Sequence, residues 1–158
     1  MANPSLIATL FDPPSADGTE LTGLPDSVEW LEVRADRVGD IDPDWLRNHF
    51  KGRLLYALRT EDGRDRHGNR AQRLQAAARF YDRVELEPAI DHELLELIPP
   101  EQRLLSWYGG DNDLSTLTEH FEQLASVPAA GYKLVTNATT IAEEFLPLTL
   151  LSFLKRDD

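Results

Sequence analysis

Lys133 stands in the segment Ala130-Gly131-Tyr132-Lys133 and opens a short apolar run, Leu134-Val135, in a chain whose charges are otherwise mostly acidic. A lysine amine that sheds water among apolar neighbours is a usable nucleophile, because desolvation disfavours its charged form. The alternative is a strand lysine that lays its stem on apolar surface and keeps its head in water. Glu32 and Arg34 alternate with Leu31, Val33 and Ala35, so both point to one side of their strand. Opposite charges on one side can pair and hold each other charged in a low-dielectric interior. Arg59 closes another run, with Glu61 and Asp62 after it, and Glu85 and Glu87 share one side of a fourth. Ser106, Trp107 and Tyr108 finish a fifth, before Gly109-Gly110. Taken singly, each is explained by a solvated strand end or a structural ion pair. Five strand ends carrying polar residues, among them two arginines and a lysine, suggest a site for an anionic carbonyl substrate.

The runs that position these residues are Ser5–Leu10, Val28–Arg34, Leu54–Arg59, Arg83–Glu87, Arg103–Trp107 and a sixth around Lys133. Leu54–Leu58 (LLYAL) and Leu104-Leu105 are apolar on both faces, as strands covered by helices are. Between the runs lie helix signals. Asp42-Pro43 supplies an N-cap and a first-turn proline for a helix over Asp44–Phe50. Asn69–Phe80 places Leu74, Ala77 and Ala78 on one face, and Asp113 caps Leu114–Ala125 with its stripe Leu114, Leu117, Phe121 and Leu124. Thr140 with Glu143 reads as a capping box, and Pro147 predicts a kink or restart soon after. Ser15–Ser27 is the weakest helix candidate. Alternating βα units every 20 to 30 residues indicate a parallel α/β sheet, either open and doubly wound or a (β/α)₈ barrel. The first strand runs into Phe11-Asp12-Pro13-Pro14, which cannot cradle a pyrophosphate, and the charges gather at strand ends; both features select the barrel.

Composition narrows the function. The 158 residues are 41% hydrophobic and 28% charged, as expected of a single globular domain over 1–158. A net charge of −12, from 16 basic and 28 acidic side chains, repels phosphate backbones and argues against nucleic acid. It leaves room for an anionic small molecule in a locally basic pocket. Cysteine is absent, so neither a disulfide scaffold nor a thiolate metal site is available, and no metal is expected. The N-terminus MANPSLIATL lacks the features of a secretory signal, and Phe145–Leu154, broken by Pro147, is too short to span a bilayer. These features lead to the expectation of a cytoplasmic protein without a membrane partner.

V-E-W-L-E-V-R-A-D at 28–36, L-Y-A-L-R-T at 55–60, D-R-V-E-L-E at 82–87, R-L-L-S-W at 103–107 and Y-K-L-V-T at 132–136 follow in order the strands of one family. The chain resembles type I 3-dehydroquinate dehydratase, a (β/α)₈ (TIM) barrel of the shikimate pathway. That family dehydrates 3-dehydroquinate to 3-dehydroshikimate through a lysine Schiff base and uses no cofactor. The resemblance runs along the whole chain and covers about six of the family's eight βα units, which implies a barrel truncated to about six. It implies Lys133 as the imine-forming lysine, Glu32 and Arg34 as the second-strand pair that contacts substrate hydroxyls, and Arg59 as a third-strand substrate contact. The chain departs from the family at Tyr108, which stands where the family has its general acid/base histidine. Its loop after the third strand, Glu61-Asp62-Gly63-Arg64, is shorter, and the family's seventh-strand arginine has no counterpart here. Of the histidines, His49, His92 and His120 are read as helix-end or surface residues, and His67, after the third strand, is the outside candidate for a base. The resemblance thus implies a hydro-lyase acting on anionic 3-dehydroquinate. A non-catalytic relic or binding module on the same fold is the second reading, and another Schiff-base lyase or aldolase the third. A homo-oligomer or a complementing segment would cover the open sheet edges of a six-unit barrel.

Overall fold

The computed structural model describes residues 5–60, 69–110 and 113–154. Six strands form one sheet in the order of the sequence: β1 (Leu6–Leu10), β2 (Val28–Arg34), β3 (Arg53–Ala57), β4 (Arg83–Leu86), β5 (Arg103–Gly109) and β6 (Gly131–Thr136). The pairs β1–β2, β2–β3, β3–β4 and β5–β6 are parallel. Sequential parallel order is that of a (β/α)₈-type chain and excludes the doubly wound sheet, whose strand order reverses. The chain forms two compact units, Asn3–Glu85 and Leu86–Asp158.

In the unit Asn3–Glu85, the strands bear different side chains on their two faces. Leu31, Val33, Leu54 and Val84 are fully buried and point to the helix side, where Leu46 and Leu74 are fully buried too. Leu46 comes from α3 (Pro43–His49), where Asp42 accepts the Asp44 N–H at 3.0 Å as expected of its N-cap. Leu74 comes from α4 (Arg70–Ala77), three residues shorter at its C-terminal end than its pattern predicts. Two further single turns, α1 (Thr19–Thr22) and α2 (Ala35–Val38), complete the unit. Gly18 precedes α1 at φ +63°, and a Cβ there would stand 2.2 Å from the His49 ring, so only glycine fits that turn. At the N-terminal end of the strands, the Arg53 and Arg83 guanidiniums lie 4.4 and 4.5 Å from the Trp30 ring centroid, and Glu29 accepts from Arg53 at 3.0 Å. These charges are engaged in packing, which leaves the C-terminal end for chemistry.

In the unit Leu86–Asp158, β5 and β6 pack on α5 (Leu114–Ala125), capped by Asp113, which accepts the Thr116 N–H at 2.9 Å. Leu117 and Leu124 of its stripe are buried, each worth about 1.5–3 kcal/mol of transfer free energy. The Thr140–Glu143 capping box forms and opens α6 (Ile141–Glu144). The helix then restarts as α7 (Leu146–Phe153), with Pro147 in its first turn, where a missing N–H costs nothing. An apolar cavity of about 340 Å³ remains among Leu117, Phe121, Tyr132, Leu134 and Leu150.

Arg103 anchors this unit. Only 7% exposed, it donates to the carbonyls of Ile98 at 2.6 Å and Pro128 at 2.9 Å, and to that of Leu95. It thereby ties the chain before β5 to the turn before β6. Arg103→Met, which keeps the stem but removes every donor, is expected to destabilise the protein by about 2–4 kcal/mol, read as a lower urea midpoint. An unchanged midpoint would mean that water replaces the guanidinium at no cost.

Candidate functional site

Each unit carries a cluster of polar side chains on the strand face away from its own helices. In Asn3–Glu85, register sets the first. Thr9 lies opposite Glu32 across β1–β2, strand alternation carries Arg34 to the same side as Glu32, and Arg59, two residues past β3, reaches Glu32 with its guanidinium. Glu32 is 5% exposed and accepts from the Thr9 hydroxyl at 2.8 Å and from Arg59 Nη2 at 3.2 Å. Arg34 grips Asp36 with two parallel hydrogen bonds, Nε to Oδ1 at 2.9 Å and Nη2 to Oδ2 at 2.7 Å. The Arg59 backbone N–H also donates to Asp36 Oδ1 at 3.4 Å. The guanidiniums of Arg34 and Arg37 face the Phe11 ring at 5.4 and 4.1 Å from its centroid. Glu32, Arg34 and Arg59 thus lie in one cluster, in which Arg59 donates to Glu32 and Arg34 to Asp36.

Asp36 was not among the candidate residues, although the spacing Arg34-x-Asp36 is visible in the chain. Burial penalises its charged form, but the hydrogen bonds and charge of Arg34, joined by the Arg59 N–H, outweigh burial and hold its carboxyl below the usual aspartate range. A depressed native value contributes stability above the unfolded value of about 4, and that contribution is lost as pH falls through the native one. Asp36→Asn is therefore expected to lower stability at pH 7 by on the order of 1–3 kcal/mol. The deficit relative to the parent should shrink below about pH 4, as the parent's own carboxyl is protonated. Parallel stability curves for the two proteins from pH 7 down to pH 3 would show that the pair contributes nothing.

In Leu86–Asp158, Lys133 lies opposite Ser106 across β5–β6, and Tyr108 lies two residues on from Ser106, on the same face. Lys133 Nζ is 5.9 Å from the centroid of the Tyr108 ring, within cation–π range. Ser106 is 2% exposed and donates to the Leu86 carbonyl at 3.3 Å. The intervening side chains point the other way: Trp107 stacks on His120 of α5 at 4.1 Å, and Tyr132 meets Phe121 edge-on. Lys133 therefore projects from the face opposite α5, while the apolar cavity lies on the helix side of β6.

The described histidines have structural surroundings. His49 Nδ1 lies 2.8 Å from the Trp45 carbonyl, His120 stacks on Trp107, and His92 starts a 3₁₀ turn. Glu61, Asp62 and His67 lie outside the described residues. Among the described residues no group of three histidine or acidic side chains gathers that could hold a metal ion, and no helix is long and apolar enough to cross a membrane.

No family model matches the sequence, and no curated protein matches it. Solved structures do. The 3-dehydroquinate dehydratase from Aquifex aeolicus VF5 superposes with a TM-score of 0.68 at 13% identity, over 96% of this chain and 76% of that one. A type I 3-dehydroquinate dehydratase from Clostridium difficile, with covalently modified comenic acid, superposes with a TM-score of 0.74 at 12% identity, over 93% of this chain and 68% of that one. At such identities the likeness establishes the fold.

Proposed function

We propose that this chain binds an anionic cyclic ketone of the 3-dehydroquinate type and that Lys133 forms an imine with it, in the manner of a type I dehydratase. The reaction needs no cofactor. The Lys133 amine adds to the ketone and water leaves, giving a protonated imine. This group withdraws electrons from the neighbouring C–H, a base removes that proton, and the hydroxyl one carbon further leaves as water. Hydrolysis of the imine returns the amine and releases the unsaturated ketone. Glu32 and Arg34 would contact the substrate's hydroxyls and Arg59 would be a further substrate contact, with Thr9 and Asp36 holding Glu32 and Arg34 in place.

The observation that carries the reading is Lys133 on the strand face opposite α5, beside Tyr108, in a chain whose fold is that of known 3-dehydroquinate dehydratases. Tyr108, an aromatic alcohol in place of a histidine base, favours the second reading, a binding module that retains the fold. The deciding measurement is dehydration of 3-dehydroquinate, followed by the rise of the conjugated enone absorbance. Slow turnover above the buffer rate supports the enzyme. No turnover, together with saturable binding of the same compound, supports the module.

A further inference from the structure

We propose that Arg37, laid on the Phe11 ring, is the group that recognises the carboxylate of the ligand; the proposal rests on the anionic cyclic ketone assigned above. The other two arginines of this cluster meet acids: Arg34 holds Asp36 through two hydrogen bonds, and Arg59 donates to Glu32. Arg37 is exposed and meets no carboxylate among the described residues; its contact is the Phe11 ring, 4.1 Å from centroid to guanidinium carbon. A guanidinium lying over a ring in this way still has N–H donors to offer, and a guanidinium edge can receive a carboxylate with two parallel hydrogen bonds.

Phe11 follows β1 directly and Arg37 lies in α2, which follows β2 directly, so both sit at the C-terminal ends of the strands. Phe11 is 43% exposed, so the ring and the guanidinium over it are open to a ligand. The same ring lies 5.4 Å from the Arg34 guanidinium carbon. One small molecule reaching Arg34 therefore has Arg37 beside it across a single aromatic ring. In a chain of net charge −12, a cation stacked but not neutralised makes this spot locally attractive to an anion.

The test uses the full chain, 3-dehydroshikimate and its uncharged methyl ester, with binding measured by calorimetry and the imine trapped by borohydride. The parent should bind the acid more tightly than the ester. Arg37→Ala should weaken the acid by about 10- to 100-fold, the scale of a charged hydrogen-bonded pair, and leave the ester unchanged. Arg37→Lys should recover part of the loss, and Phe11→Leu should give a smaller loss of the same kind. Arg37 is exposed, so its variants should keep the parent's circular dichroism. If Arg37→Ala binds the acid as the parent does while the parent still forms its adduct on Lys133, the carboxylate role is overturned and the ketone reading stands. If the parent binds neither compound and traps nothing, the ketone reading falls, and this proposal falls with it.

Discussion

Lys133→Met is expected to abolish the covalent adduct that borohydride traps from 3-dehydroquinate or its dehydrated product. Borohydride adds hydride to the imine carbon and leaves a stable secondary amine, so the parent should gain one ligand mass. The chain has two other lysines, Lys51 and Lys155, so peptide mapping gives an unambiguous answer. Methionine keeps a flexible stem of similar length, and Lys133 is only half-buried, so β6 should survive the change. Any dehydration should fall by on the order of 10³-fold or more, the scale of removing a covalent group from a site that acts as a unit. A parent adduct mapping to Lys51 would remove Lys133 from the mechanism even if the fold likeness holds.

The strands were legible because they are short runs, apolar throughout or alternating apolar with polar, bounded by turn residues. Val28–Arg34 was read at both its ends, and the sequential order followed from the steady alternation with helical segments. Helix starts were legible where a side chain announces them, as at Asp42, Asp113 and Thr140. Helix ends were not: α4 stops at Ala77 although its residues continue to favour a helix, because Tyr81 turns inward to pack on Tyr56. The single turn α2 was missed, since four residues cannot show a period of 3.6, and with it went the position of Arg37. Charge partners were the hardest to read. The alternation of Glu32 and Arg34 indicates a shared side but not that Glu32 is served by Arg59, 27 residues away. Arg103 left no pattern at all, because its partners are backbone carbonyls, which every residue supplies.

Tyr108→His is expected to raise dehydration by about 10²–10⁴-fold, the usual contribution of a positioned general acid–base. A phenol with an ordinary pKa near 10 is almost wholly protonated at neutral pH and takes up a proton poorly, whereas an imidazole near 6.5 exchanges one readily. The position is suitable: Tyr108 lies on the same face as Lys133, whose amine is 5.9 Å from its ring centroid, so an imidazole there would project beside the imine. Tyr108 is half-buried, and exchanging one ring for a smaller one should cost little stability. The signature to demand is a new limb in the pH profile of kcat near the imidazole range, absent from the parent. A rise in rate without that limb would indicate a steric effect of removing the phenol. No rise, in a protein that still forms its adduct on Lys133, would mean that another base already serves the reaction. No rise and no adduct would identify the protein as a binding module that keeps the arginines and glutamate for recognition alone.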